Sequence, residues 1–123
     1  MHFRSSDQGA SLVEAALVMP ILIMLVFGVV EFGRAYNAQI SLTHAAREAI
    51  REYAISQNTA DAEDVAENSA PTLDSTLMNF NFGPCNPGAP AQVTIGYPFT
   101  YEIPLFGNNT VDLTGIGVMR CGG

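Results

Sequence analysis

The chain has 123 residues, a net charge of −7 and two cysteines, which together allow one domain of modest size. The negative charge is unevenly distributed, because residues 1–51 sum to zero whereas residues 52–123 contain eight acidic residues and Arg120 as the one cation. An acidic domain repels phosphate backbones, so the composition argues against nucleic-acid binding.

The first predicted elements are a short polar leader, residues 1–9, and an apolar helix, residues 10–33, that begins at Ala10. No charged residue occurs from Ala15 to Val30. At about 1.5 Å per residue, a helix from Ala10 to Val30 is about 31 Å long, close to the roughly 30 Å hydrocarbon core of a bilayer. The sequence therefore predicts one transmembrane segment.

Two alternatives concern this segment. A secretory signal peptide needs a small-residue cleavage site, and the one candidate, Gly33-Arg34-Ala35, has a charge in its middle. The positive-inside rule would place the C-terminal domain in the cytoplasm, since Arg34, Arg47 and Arg51 follow the segment. Acidic residues on the same flank and the two cysteines favour export, so charge alone leaves the orientation open.

Two residues interrupt the apolar run. Glu14 is its one carboxylate, and a charge at mid-bilayer costs about 2.5–3.5 kcal/mol unless something compensates it. Either Glu14 has a counter-charge, or it reaches the headgroup layer. Pro20 leaves the carbonyl of Ala16 without its helical donor and predicts a kink, which is either harmless or a point that loosens when the helix leaves lipid.

The helical pattern continues beyond the apolar run as an amphipathic stretch over about 34–57. Glu31 with Arg34, and Glu48 with Arg51, are spaced three apart and would meet on a helix surface. One face carries apolar residues at helical spacing: Leu42, Ala46, Ala49 and Tyr53, with Ala45 and Ile50 beside them. The pattern predicts one long helix from about Ser11 to Gln57.

A second helix is predicted over about 60–77. Thr59 or Asp61 would cap its start. Its end is predicted at about Ser69, or at Leu77 if Pro71 restarts the helix at a first-turn position.

Strands are predicted over about 78–121. Apolar and other residues alternate from Val93 to Ile103, which is typical of a half-buried strand, and Pro98 makes this strand an edge or breaks it in two. Asn79–Phe82 is a possible further strand. Gly107-Asn108-Asn109 is predicted to be a turn, with a return strand from Thr110 to Cys121. Residues 34–123 are thus predicted to be an exported domain, and the fold class is α+β, a long helix on a small antiparallel sheet.

Cys85 and Cys121 are the only cysteines. In an exported domain a lone pair usually forms a disulfide, and closing this loop would stabilise the fold by about 3–4 kcal/mol. The alternative is two unpaired thiols in a cytoplasmic domain.

The residues together resemble the TadE-like family, pilin-like (pseudopilin) subunits of the tight-adherence pilus, a branch of the type IV pilus and type II secretion systems. The resemblance covers about residues 9–50. It rests on Gly9, then Ser11-Leu12-Val13-Glu14-Ala15-Ala16-Leu17-Val18-Met19-Pro20, then Gly28-Val29-Val30-Glu31-Phe32-Gly33-Arg34-Ala35-Tyr36, then Ala45-Ala46-Arg47-Glu48-Ala49.

The resemblance implies cleavage by a prepilin peptidase between Gly9 and Ala10, after which Glu14 is the fifth residue of the mature chain. It also implies an inner-membrane subunit with its C-terminal domain outside the cytoplasm. Assembly with other pilin-like subunits and pilus platform proteins would proceed through the N-terminal helix. Ala15 stands where major tight-adherence pilins have a tyrosine, which favours a minor component.

Catalytic motifs are not found. The sequence contains no phosphate-binding loop, no metal-ligand spacing and no nucleophile elbow. His44 is interpreted as a surface residue, and the acidic residues from Asp61 to Glu67 lack the spacing of a calcium loop. We therefore expect no enzymatic activity, cofactor, metal or small-molecule substrate. The alternative function is an unprocessed, single-pass membrane-anchored extracytoplasmic binding or sensor module.

Overall fold

The computed structural model describes residues 2–122, with side chains from Asp7 onward. These residues form α1 (His2–Ser56), α2 (Thr59–Ser69), a short 3₁₀ helix (Ser75–Leu77), β1 (Asn79–Phe82), β2 (Pro90–Ile103) and β3 (Gly107–Arg120). The strands make one antiparallel sheet in the order β1-β2-β3, and α1 packs on it. The α+β prediction is confirmed.

Helix α1 lies in two environments. From Asp7 to Tyr36 nearly every side chain is exposed, and the most apolar window of 18 residues has a mean hydropathy of 2.6 with none of it buried. From Ala38 onward one face is buried against the sheet and α2, and the predicted face is confirmed: Leu42, Ala45, Ala46, Ala49, Ile50 and Tyr53 are all buried. The change follows residue size, since alanines dominate the packed part.

The junction between α1 and α2 differs from the prediction. Gln57 has a φ of 56°, which ends α1, and its N–H donates to the Tyr53 carbonyl at 2.9 Å. Asn58, and neither Thr59 nor Asp61, caps α2, because its side-chain oxygen accepts from the backbone N–H groups of Ala60 and Asp61. Helix α2 ends at Ser69, the nearer of the two predicted ends.

The sheet explains how Pro98 is accommodated. Strand β2 pairs with β3 over its whole length, but β1 covers only residues 93–96 of it. Pro98 lies opposite Asp112, beyond the end of β1, so β2 is an edge there and stays one strand. Of the two predicted outcomes, the edge is confirmed and the break is not.

The predicted turn at Gly107-Asn108-Asn109 is wrong. Those residues begin β3, and Ile103 pairs with Gly107. The chain reverses through Pro104-Leu105-Phe106, where the Phe106 N–H donates to the Ile103 carbonyl at 3.1 Å. Proline fixes φ at the first central position of this turn, and Leu105 takes a φ of 75° at the second. The turn chemistry of Pro104 thus outweighs that of the Gly-Asn pair.

Two glycines bring β3 against α1. A β-carbon on Gly115 would stand 2.6 Å from the Leu42 carbonyl oxygen, and one on Gly117 would stand 2.5 Å from the Ala46 carbonyl oxygen. Real β-carbons do not approach oxygen that closely, so only glycine permits this separation. The contact holds β3 at a short distance from the packed half of α1.

Candidate functional site

The residues predicted to be the cleavage site lie near the start of α1. Gly9 and Ala10 are both exposed, and a β-carbon on Gly9 would meet nothing within 4 Å. A glycine inside a helix destabilises it by about 0.5–1 kcal/mol relative to alanine. The helix is therefore intrinsically weak at the peptide bond that a peptidase would have to reach, and no packing protects that bond.

Glu14 lies on the same face of α1 as Ala10. The two residues are four apart, which places them one turn from each other with a rise of about 6 Å. Glu14 is exposed, and within residues 7–122 the one ion pair is elsewhere, between Arg34 and Glu31. An amine created at Ala10 would share this helix face with the carboxylate.

An exposed apolar rod surrounds this carboxylate. We use the term apolar rod for residues 10–30 of α1, whose large side chains project outward: Leu12, Val13, Leu17, Val18, Met19, Ile21, Leu22, Ile23, Leu25, Val26, Phe27, Val29 and Val30. Such a surface is unfavourable in water. Pro20 is exposed, and the residues on both sides of it are helical, so its kink stays a prediction.

A cluster of side chains just after the C-terminal end of the apolar rod connects the sheet to α1. Arg34 donates from Nη1 to both carboxylate oxygens of Glu31, at 2.8 and 2.9 Å, which confirms the predicted pair. Glu31 Oε2 also accepts from the backbone N–H of Glu102 at 3.2 Å. The Arg34 guanidinium lies 5.3 Å from the ring centre of Phe99. We call these four residues the Glu31 clamp.

The contact with Glu102 was not foreseen from the sequence. It joins residues 71 apart, on elements of different period. Glu102 lies on the part of β2 that β1 does not cover, so that edge of the strand has an N–H available. Glu31 accepts a hydrogen bond from this N–H, so that α1 pairs a backbone group at the exposed edge of the sheet. The predicted spacing of Glu31 and Arg34 pointed to the ion pair but carried no signal for the strand.

The opposite end of the domain carries the disulfide. Cys85 and Cys121 are joined, with their Cα atoms 5.5 Å apart. The N–H of Cys121 donates to the Ala89 carbonyl at 2.9 Å, and the N–H of Gly122 donates to the Ala54 carbonyl at 3.2 Å. The bridge joins the end of β3 to the loop before β2, and the hydrogen bond from Gly122 joins it to the end of α1.

Metal-binding groups and grooves are the remaining features of interest in the part of the chain that the structure describes. There, no group of three or more His, Cys, Asp or Glu side chains is placed to hold a metal ion. An apolar groove of about 360 Å³ runs between α1 and the β2–β3 hairpin. Met24, Phe27 and Gly28 line it from the helix, and Tyr101, Ile103 and Pro104 from the hairpin, with Glu31 and Glu102 at its polar end. The lining of this groove is thus mainly apolar.

The apolar rod and two residues of the Glu31 clamp, Glu31 and Arg34, lie in the part of the chain that a known family covers. No curated protein and no solved structure shows significant similarity to this chain. The model of a family described as TadE-like protein matches residues 9–51, which begin at Gly9 and end within the packed half of α1. The resemblance to the TadE-like family is therefore confirmed over residues 9–51, and this family indicates a pilin-like protein associated with a tight-adherence pilus.

Proposed function

We propose that this chain is a minor pilin-like (pseudopilin) subunit that takes part in assembling a tight-adherence pilus, a type IV-related system. A prepilin peptidase cleaves after Gly9 and removes residues 1–9. Residues 10–33 then anchor the subunit in the inner membrane and later pack in the assembly, and residues 34–123 lie outside the cytoplasm. The observation that carries this proposal is the lone carboxylate of Glu14, one helical turn from Ala10 on an exposed apolar rod.

Cleavage would create a positive charge that can pair with the Glu14 carboxylate. The new amine of Ala10 would carry a positive charge at neutral pH. Neither this amine nor the Glu14 carboxylate is stable alone in an apolar bundle, whereas the two together offset each other's loss of hydration. When the amine belongs to one subunit and the carboxylate to the next, the contact is heterologous, and its repetition builds an open helical array.

The disulfide of the C-terminal domain, residues 34–123, is consistent with export. A disulfide persists in oxidising compartments, and this chain has one at the end of its sheet. The proposed partners are the membrane, a prepilin peptidase, other pilin-like subunits and pilus platform proteins. Nucleic acid and small-molecule substrates are not among them, and Ala15 supports a minor over a major subunit.

The first test measures the mature N-terminus. The full chain is co-expressed with a prepilin peptidase, and its intact mass is determined from the membrane fraction. We expect a chain that begins at Ala10. Gly9→Val should block processing, whereas Gly28→Val, at another glycine of the same helix with open space around it, should leave processing intact. A mature chain that retains Met1 would contradict the proposal and favour the unprocessed anchored module.

The second test asks where the Glu14 carboxylate finds its partner. Glu14→Gln keeps the shape of the side chain and removes its charge. We expect processing to continue and co-purification with pilin-like partners to fall at least about tenfold, because breaking a buried pair costs about 3–5 kcal/mol. Asp64→Asn, on the exposed surface of α2, removes a charge without touching the rod and should change nothing. Unchanged co-purification of Glu14→Gln would indicate that the amine and carboxylate pair within one chain.

A further inference from the structure

We propose that the tip of the β2–β3 hairpin, Pro104–Phe106, inserts into the interfacial layer of the bilayer beside α1. This tip would give the subunit a second membrane contact. The proposal rests on α1 crossing the membrane, as in the proposed function. It adds a surface that lies outside the segment matched by the family, which ends at residue 51.

The position of the tip along α1 carries the argument. Strand β2 runs along the helix toward its N-terminus, with Phe99 beside Arg34 and the Glu102 N–H on Glu31. Past that level, Ile103 and Pro104 share a groove with Met24, Phe27 and Gly28.

This position corresponds to a shallow depth in the membrane. The uncharged run of the helix ends at Val30, so Phe27 and Met24 lie about 4.5 and 9 Å inside its end. Elements that lie in a membrane interface bury their apolar face about 5–10 Å deep. A hairpin that reaches the level of Met24 and Phe27 therefore reaches the interfacial layer.

The chemistry of the tip matches that layer. Leu105 is 92% exposed and Phe106 is 67% exposed, although both are large and apolar. No charged residue occurs between Glu102 and Asp112, and Gly107-Asn108-Asn109-Thr110 on the return strand are uncharged and polar. Apolar side chains at the apex with polar, uncharged groups behind them suit the boundary between acyl chains and headgroups.

The backbone of the tip supports the same conclusion. Leu105 has a φ of 75°, a region that disfavours side chains with a β-carbon, and glycine would remove this strain. Glycine would also remove the apolar side chain. A strained backbone that presents an exposed leucine points to a use for that side chain outside the folded chain. The absence of Lys and Arg from residues 103–111 indicates an insertion driven by apolar contact, without need of anionic lipid.

The experiment uses tryptophan fluorescence, because the natural chain has no tryptophan. Phe106→Trp is prepared in the full chain and reconstituted into phosphatidylcholine vesicles. We expect blue-shifted emission, quenching by lipids brominated on their acyl chains, and quenching by aqueous iodide at least threefold weaker than for a control. The control is Val118→Trp, a 59% exposed position toward the far end of β3. Leu105→Trp replaces Phe106→Trp if that variant does not fold.

A third variant separates the two proposals. Leu22→Trp, in the apolar rod, reports the membrane insertion of α1 itself. Lipid quenching of Leu22→Trp, with Phe106→Trp behaving like Val118→Trp, overturns the inference about the hairpin and leaves the membrane span intact. If neither rod nor tip is quenched by lipid, both fail. If Phe106→Trp is shielded only when another pilin-like subunit is added, the tip is a protein contact and the inference is overturned.

Discussion

The two halves of α1 are the most instructive comparison in this molecule. Both are helical and apolar, yet residues 7–36 leave their large side chains exposed while residues 38–54 bury one face completely. Side-chain size separates them, because the exposed half is rich in Leu, Ile, Val and Phe and the packed half in Ala. Where β3 lies closest to the helix, at Gly115 and Gly117, the strand has no room even for a methyl group. An apolar stripe with polar residues on the other side therefore marked the half that packs on the domain, and apolar residues on all sides marked the exposed half.

Removing the disulfide tests the packed half most severely. Cys85→Ala/Cys121→Ala should lower the free energy of unfolding of the domain by about 3–4 kcal/mol, because the bridge closes a loop with a sequence separation of 36. Denaturant unfolding of the full chain in detergent measures the loss. The apolar rod should keep its helical circular-dichroism signal, since the bridge lies at the other end of α1. Loss of that signal together with the domain would show that the two halves are not independent.

Adding one methyl group at Gly117 tests the close contact between β3 and α1. Gly117→Ala would place its β-carbon 2.5 Å from the Ala46 carbonyl oxygen and 3.0 Å from Ile50 Cγ2, and neither the strand nor the helix can move without disturbing the other. We expect a loss of about 2–3 kcal/mol, the upper part of the range for overpacked cores, in the same unfolding measurement.

The sheet and the exposed half each offer a control for this substitution. Gly96→Ala would meet Asn79 Cβ at 3.9 Å, and Gly28→Ala would meet nothing within 4 Å. Each should change the unfolding free energy of the domain by less than about 0.5 kcal/mol. A loss at Gly96 equal to that at Gly117 would mean that strand propensity, and not the contact with α1, decides the effect.

The smallest expected effect comes from two tyrosines of α1, one in each half. The Tyr53 hydroxyl donates to the Gly83 carbonyl at 3.0 Å, and its ring packs on Phe82. Tyr53→Phe should cost about 1 kcal/mol, because it removes this hydrogen bond and keeps the ring. Tyr36→Phe, at a position 61% exposed, should cost less than about 0.5 kcal/mol. Equal effects would contradict the assignment of the two tyrosines to different environments.

Periodicity predicted much of this fold. The long helix, its buried face and the alternating strand were all visible, because each depends on a pattern repeated over many residues. The Glu31–Arg34 pair was visible for the same reason, since three residues along a helix set the distance between the two side chains. Glu14 as the one carboxylate of the apolar run was likewise visible in the sequence, and its pairing stays a prediction.

Features that depend on a single residue or on a distant contact were missed. The turn was expected at Gly107 because Gly and Asn favour turns, but Pro104 reverses the chain three residues earlier and Leu105 accepts the unusual φ. Asn58 was overlooked as the cap of α2 because Thr59 and Asp61 compete for that role in sequence. The role of Gly115 and Gly117 appears only when α1 lies across them, and no local pattern reports that crossing.

The unbroken course of α1 has a mechanical consequence. Because α1 is helical from His2 to Ser56, the direction in which Glu14 projects from the helix also sets the direction in which the sheet is presented. One residue inserted between Glu14 and Ala38 would rotate the sheet by about 100° about the axis of α1 and move it by about 1.5 Å along that axis. The number of residues between Glu14 and the sheet therefore determines the direction in which the sheet points. A subunit that docks through the N-terminal part of α1 would have its sheet oriented before any contact between the sheets of two subunits forms.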